Sequence, residues 1–596
     1  MSNPSINYVL EYGVIAAYLV LMIIIGIVFR SFNKNSGDFF RGGSQATWWM
    51  VGMSCFMSGI SAVTFTGNGG AAYEAGWSVL AVYLGNFTGM LIQALLLAPW
   101  FRQMRATTFP EIIRERFGLG TQQLFAFVKI FIFTIYASLW LFGLAVFSAA
   151  VFGLPVNVVI PVLGAVALFY SAMGGKWAVL AADFVQGLIM MSMCVLVSIL
   201  CLVKLGGIDG FFARIHEMDL GTTFAAIKPE GVGPQRLYTS GWFWAAFVMS
   251  VIFNCGASNA VKFFAVKDGA EARKAALLSS TMMLLGIVFW FIPPMTARLL
   301  FSGTVESIPI GTPAEAAFAV TSMQLLPNGL IGMMVVAMFS ATMSSMDAGI
   351  NGNAAIIVKD VIPALRRLFW RSEVPEKTLL RWGRIATFFC GIVIVLLAEY
   401  LSMQTVMGIF ELMINFGAVV SIPIVIPTVL CLFVRRVPPW SAVFSILCAV
   451  TVPIAALISP ESWSFQERTL LTVLAGTLGF FVTRLFWRRT SESYRRQVEG
   501  FFTKMHTPVD FEREVGEGSD HRQLILMGRF TLAVAVFVAL LLLLPNPWSG
   551  RLCILALAAG MAMIGSTLCL IGARRRRARN VSTETSAIAE PQETTG

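Results

Sequence analysis

Three carboxylates, Asp183, Asp347 and Glu411, fall inside long apolar runs of the chain. A carboxylate at bilayer depth costs about 2.5–3.5 kcal/mol on insertion scales, so such a group normally faces a cavity, a cation or a partner. Asp183 follows Lys176 closely in sequence, which leaves a position near a membrane interface open for it, and Glu411 is read equally well either way. Asp347 closes the run Ser340-Ala341-Thr342-Met343-Ser344-Ser345-Met346-Asp347. On a helix, Ser344 and Ser345 offer two hydroxyl oxygens, and Ala341 offers a carbonyl one turn earlier. Neutral hydroxyl and carbonyl oxygens suit an alkali cation that must bind and also leave. Hydroxyl back-bonding to the carbonyl four residues earlier also accommodates such a run.

Covalent or acid–base chemistry finds no comparable set. The three histidines (His216, His506 and His521) lie in polar loops, away from the intramembrane acids. No phosphate loop, H-E-x-x-H or C-x-x-C motif occurs. The nine cysteines stand singly within apolar runs and read as small packing residues. An enzyme is therefore not expected, and no organic cofactor is implied.

The elements that must hold these groups are set by composition. Of 596 residues, 57% are hydrophobic and only 13% are charged, too few charges to cover a water-soluble surface. The chain is expected to be an all-α polytopic membrane protein. Apolar runs long enough to cross a bilayer number fifteen, from 8–29 to 551–572, with no strand-like alternation. Basic residues follow the odd-numbered runs: Arg102, Arg105, Arg114 and Arg116 after the third, Arg435 and Arg436 after the eleventh, Arg574 to Arg577 after the fifteenth. The positive-inside rule then places the N-terminus outside and the C-terminus in the cytoplasm. The net charge of +11 is this topology signal, and no nucleic-acid partner is implied. The first run lacks a basic leader and a small-residue cleavage site, so it is expected to stay as a leading transmembrane helix within residues 1–47. Residues 436–487 supply two accessory helices, 488–524 a cytoplasmic polar linker carrying a surface helix, and 525–572 two further spans. Residues 573–596 form a basic tail, expected to be disordered beyond Arg579.

Two spans are built to break. The second carries Ser54, Ser58, Gly59, Ser61, Thr64, Thr66, Gly67 and Asn68; the seventh carries Asn254, Cys255, Gly256, Ala257, Ser258 and Asn259. Non-helical backbone survives at membrane depth only where it is buried or lines a wet cavity. A Gly-interrupted pair five spans apart points to an inverted repeat with a midplane site, although close helix packing through small residues also uses such composition.

Several stretches together resemble the sodium:solute symporter family. Tyr170 to Val179, with Asp183 and Gln186 beyond, is similar to the family's G-G-x-x-A-V…D…Q signature. Ala265-Val266-Lys267 with Glu271-Ala272-Arg273, Thr108-Phe109-Pro110-Glu111 with Arg116-Phe117-Gly118, and Ala341 to Asp347 with Asp360 are further likenesses, in family order over roughly 8–435. The resemblance implies a leading helix, a ten-helix core of a LeuT-like five-plus-five inverted repeat over 48–435, and variable C-terminal helices. It implies a sodium site made by the carbonyls of Met57, Ile60 and Ala341 with the hydroxyls of Ser344 and Ser345. Asp183 matches an acid on the ion's inward path, and Asp347 stands where some members place a second-sodium hydroxyl, which leaves a second cation or a proton open.

Solute-binding positions implied by the resemblance are Thr64, Tyr83, Asn86, Asn254, Ser258, Glu411 and Asn415. The chain departs from the sugar carriers around Ala257 and Ser258, and Lys262 stands where arginine is usual. The implied activity is sodium-coupled symport of a small polar organic solute across the cytoplasmic membrane, a sugar first and a carboxylate second, by a chain working as a monomer in the bilayer. A proton-coupled transporter, a channel or a non-transporting solute sensor of the same fold are the alternatives.

Overall fold

The computed structural model describes residues 7–30, 42–173, 176–229, 237–369, 376–403, 407–459, 463–516 and 520–589. Gly174 and Gly175 of the signature stretch lie outside the described residues. Every element described is helical, apart from one isolated bridge between Ala46 and Val266. The principal helices are α1 (Tyr8–Arg30), α2 (Trp48–Met57), α3 (Gly67–Ala75), α4 (Leu80–Ile92), α5 (Phe109–Phe117), α6 (Leu119–Phe152), α7 (Val156–Met173), α8 (Lys176–Leu205), α9 (Ser240–Cys255), α10 (Gly269–Trp290), α11 (Leu330–Ile356), α12 (Glu376–Ser402), α13 (Ile409–Phe416), α14 (Ile422–Phe433), α15 (Ser441–Ile458), α16 (Phe465–Val482), α17 (Glu492–His506), α18 (Asp520–Leu540) and α19 (Trp548–Ala589).

By length and apolarity, 12 helices among the described residues can cross a membrane, or up to 13 if a bent pair is taken as one span. The fifteen runs read from the sequence exceed that count. The difference falls on two shorter apolar helices, α2 and the Val156–Leu168 part of α7. α2 is short because the second span breaks as its composition predicts: the helix ends at Met57 and resumes only at Gly67.

The chain supplies partners for the backbone groups each break releases, as a nonaqueous setting demands. In the first break Ser61 is extended and its hydroxyl accepts from Val63 N at 3.3 Å. Thr342 Oγ1, from α11, accepts from Ala62 N at 2.9 Å. The second break lies at Gly256, where the chain becomes extended and turns by 48° from α9 into the 3-10 segment Ala257–Ala265. There the Asn259 amide donates to Asn254 O at 2.8 Å and to Phe253 O at 3.2 Å, and Gln93 also donates to Asn254 O. The two broken elements are tied at one end by Ala46 N donating to Ala265 O at 2.9 Å.

α1 packs against α8 and α11. Its Glu11 carboxylate is fully buried and accepts from Gly329 N (2.7 Å) and Gly332 N (2.5 Å), capping the orphan amides at the start of α11. Gly332 is required there, because a Cβ would lie 2.9 Å from a Glu11 carboxylate oxygen.

On the opposite face the loops after the third and eleventh runs meet the 488–524 segment. Arg116 is fully buried and donates to Tyr494 Oη (3.0 Å), Val434 O (2.8 Å) and Arg435 O (3.0 Å). Lys504 pairs with Glu115 at 2.6 Å and Arg105 with Glu514 at 2.7 Å. The surface helix expected in this linker is α17, and it is docked: Tyr494, Val498, Phe501, Phe502 and Met505 are buried on its inner side. At the C-terminal end, α19 continues through the tetra-arginine run as far as Ala589, so the disorder expected beyond Arg579 does not begin there. Alanine and arginine favour helix, and the first proline after them is Pro591.

Candidate functional site

The first break and α11 form one corner of the site. Ser345 Oγ lies 2.6 Å from Ile60 O and 3.4 Å from both Met57 O and Ser58 O. Three carbonyls freed by the end of α2 thus converge on one hydroxyl of α11. Next to it, Ser344 Oγ is buried, with Ser344 only 1% exposed, and has no hydrogen-bond partner among the described residues. A buried hydroxyl without a partner loses its full desolvation cost, so such groups in native folds mark a missing ligand or water. Met57, Ile60, Ser344, Ser345 and Ala341 are all buried in the α2–α11 contact region, and every oxygen in the set is neutral. The set fits an alkali cation. Ser58 O belongs with it and was not singled out from the sequence.

Behind this corner sits a layer of polar side chains. Asp183 of α8 is buried and accepts from the Ser54 hydroxyl of α2. Gln186 Nε2 donates to Tyr18 Oη at 3.0 Å, and Tyr18 Oη lies 2.6 Å from Ser340 Oγ. The leading helix therefore reaches, through Tyr18, the residue preceding Ala341. Asp347 is buried in α11. Neither acid lies on the wall of the central cavity, and Asp183 is buried.

That cavity measures about 370 Å³, within the small-molecule range. It starts at the first break and ends at Thr107 and Thr108, beside the arginine-bearing loops. Ser345 is on its wall, so the ion corner and the cavity are contiguous. Of the solute positions taken from the sequence, Thr64, Tyr83, Asn86, Asn254 and Ser258 line it. Asn254 Nδ2 donates to Asn86 Oδ1 at 2.9 Å, joining the second break to α4. Asn68 donates to Tyr83 Oη. Tyr136, held by Ser421 at 3.1 Å and stacked with Trp140, gives an aromatic wall.

Glu411 and Asn415 are not brought to this wall. Asn415 is turned toward α16, accepting from Arg468 at 2.5 Å, and Glu411 lies within electrostatic reach of Glu74 and Tyr238. Glu411 and Asn415 lie four residues apart on one polar face of α13, and that face meets Arg468 of α16 instead of the cavity. The wall also carries polar residues not named as site residues, among them Asn68, Lys129, Asn259 and Lys262. Lys129 had a signal, a lone cation inside an apolar run, of the same kind as the three acids.

The end of the cavity away from Thr107 is shut. Glu315, in the short 3-10 helix Pro313–Ala316, accepts from Ile409 N at 2.6 Å. At Gly67, a Cβ would lie 2.9 Å from Phe410 N, so α3 and α13 touch backbone to backbone. Burial pushes the Glu315 carboxyl up to about 7.

A helical membrane bundle with two broken helices around a midplane cavity, and an oxygen-lined corner beside it, defines a secondary transporter. The sodium:solute symporter family model matches residues 39–448, and the chain belongs to that family. It is 24% identical to the sodium/sialic acid symporter of Proteus mirabilis over 490 residues, covering 79% of this chain and 94% of that one. It is 25% identical to sodium/glucose cotransporter 2 of Rattus norvegicus, covering 77% of this chain and 72% of that one. A solved structure of a Na+-coupled sialic acid symporter in a substrate-bound outward-open state superposes with TM-score 0.68 at 19% identity, covering 81% of this chain and 98% of that one. The fold is therefore that of the family, and the chain is a multi-pass sodium:solute symporter and not an enzyme.

Proposed function

We propose that the protein couples sodium entry to uptake of a small polar organic solute by alternating access, acting as a monomer in the cell membrane with its N-terminus outside and C-terminus in the cytoplasm. Sodium would bind at Met57, Ile60, Ala341, Ser344 and Ser345, and the unpartnered Ser344 hydroxyl is the observation that carries this reading. The ion would hold the end of α2 against α11, fixing the first break in the shape that presents Thr64 and Asn68 to solute. Solute would bind among Thr64, Tyr83, Asn86, Asn254 and Ser258, and relatives named for glucose and sialic acid favour a sugar-like molecule. Asp183 and Asp347 would give the ion's exit path, or a second cation, its negative charge. The conformation in hand, closed at Glu315 and Gly67 and reaching Thr107, would be the one that releases cargo to the cytoplasm.

Each sodium moved inward draws on its gradient and on about 2.3 kcal/mol per charge per 100 mV of membrane potential. The test is uptake into proteoliposomes with sodium outside and potassium inside. Accumulation above equilibrium that collapses when the sodium gradient is removed supports symport. Accumulation driven by a pH step and indifferent to sodium would move the coupling to protons on Asp183 and Asp347. Downhill equilibration alone would indicate a channel, and binding without flux a sensor.

A further inference from the structure

The charges on the cavity wall are of one sign. Lys129, from α6, and Lys262, from the 3-10 half of the second broken helix, both line it. No aspartate or glutamate among the described residues does. Among the described residues neither ammonium is recorded in a hydrogen bond or an ion pair. The two are near enough to repel one another. Lys262 also feels Asp183, whose carboxylate is engaged by Ser54 behind the wall. An ammonium inside a membrane protein is costly unless a counter-charge or water meets it. Both ammoniums line the cavity, so an anionic solute entering it can supply that counter-charge.

Resting on the symport reading above, we propose that the solute is an organic carboxylate, whose anionic group is met by Lys129, with Lys262 beside it. Asn68, Asn86 and Asn254 then serve the uncharged polar groups of the same molecule, and the Tyr136 wall its carbon skeleton. A sodium ion and a carboxylate entering together also leave the closed cavity with the charge it had before loading.

The test uses the full-length protein in detergent and matched pairs of probes at millimolar concentration: glucuronate against glucose, gluconate against sorbitol, lactate against propane-1,2-diol. Thermal shift is read in sodium and in potassium. The expected result is a sodium-dependent shift with the carboxylate of at least one pair and none with its neutral partner. Lys129→Gln should weaken that response tenfold or more, Lys129→Arg should restore much of it, and Lys274→Gln, a surface change, should do nothing. The shift given by sodium alone should survive in all three variants, which also shows that they fold. Equal responses to both members of a pair, or a carboxylate response unchanged by Lys129→Gln, overturns the proposal. So does silence from every anion while sodium still stabilises the protein. If sodium itself gives no shift, the symport reading beneath the proposal fails instead.

Discussion

The ion corner and the solute cavity share Ser345 but are built in different ways. The corner is made from two short stretches, 57–60 and 341–345, whose chemistry is mostly backbone carbonyl and hydroxyl. The cavity wall takes side chains from α2, α3, α4, α6, α9, α11, α13, α14 and both breaks. In the corner, identity at a few adjacent positions decides the function. On the wall, tertiary packing decides which residues count, and neighbours in sequence face different ways.

The largest effect expected is at the corner. Ser345→Ala removes the hydroxyl on which three carbonyls converge, and should raise the sodium concentration for half-maximal uptake by more than tenfold, about 1.4 kcal/mol or more. High sodium should restore the rate. Normal sodium dependence in this variant would erase the distinction between corner and wall.

Gly67→Ala acts where the two regions meet. The added methyl forces α3 away from α13, so closure above the cavity is disfavoured. Transport should fall several-fold while sodium binding without solute holds or tightens. Equal losses of both would mean simple misfolding.

Tyr18→Phe keeps the shape of the leading helix but removes the hydroxyl between Gln186 and Ser340. Loss of one buried hydrogen-bonded group is worth about 0.5–1.5 kcal/mol. Sodium affinity should drop a few-fold with solute affinity at fixed saturating sodium unchanged. A change confined to solute would show that the network serves the wall.

The smallest effect is at the outer closure and is read through pH. The Glu315 carboxyl, pushed up by burial from 4.5 to about 7 with Glu74 nearby, holds its proton more tightly in the closed form than in the open one. Its contribution to closure is full below about 4.5, and is lost as pH rises toward about 7. Glu315→Gln should flatten that dependence. An unchanged pH profile would show that another group sets it.

Much of the corner was legible in the sequence. Ser58, Gly59 and Ser61 inside an apolar run cannot sustain a helix at low cost, and the run from Ser340 to Asp347 has more hydroxyls than packing needs. Both are local, so reading them required no knowledge of the fold. The wall was half legible. Thr64, Asn254 and Ser258 were found because they lie in or beside the breaks. Glu411 and Asn415 share a polar face that the sequence marks, but the partner it meets, Arg468 of α16, is more than fifty residues away in sequence. Lys129 carries a signal of the same kind as the three acids, a lone charge inside an apolar run. The docking of α17 was equally hidden: its buried aromatic stripe was visible, but its partner Arg116 lies far away in sequence.

The most direct test of the central claim is a sodium titration of thermal unfolding, with potassium as the control cation, on the wild-type protein and on Ser345→Ala. If sodium binds between the end of α2 and α11, it stabilises the wild type in a saturable way, potassium does not, and the variant loses the response at the same concentrations. Equal stabilisation of both proteins by sodium would contradict the site, and equal stabilisation of the wild type by both cations would contradict sodium selectivity.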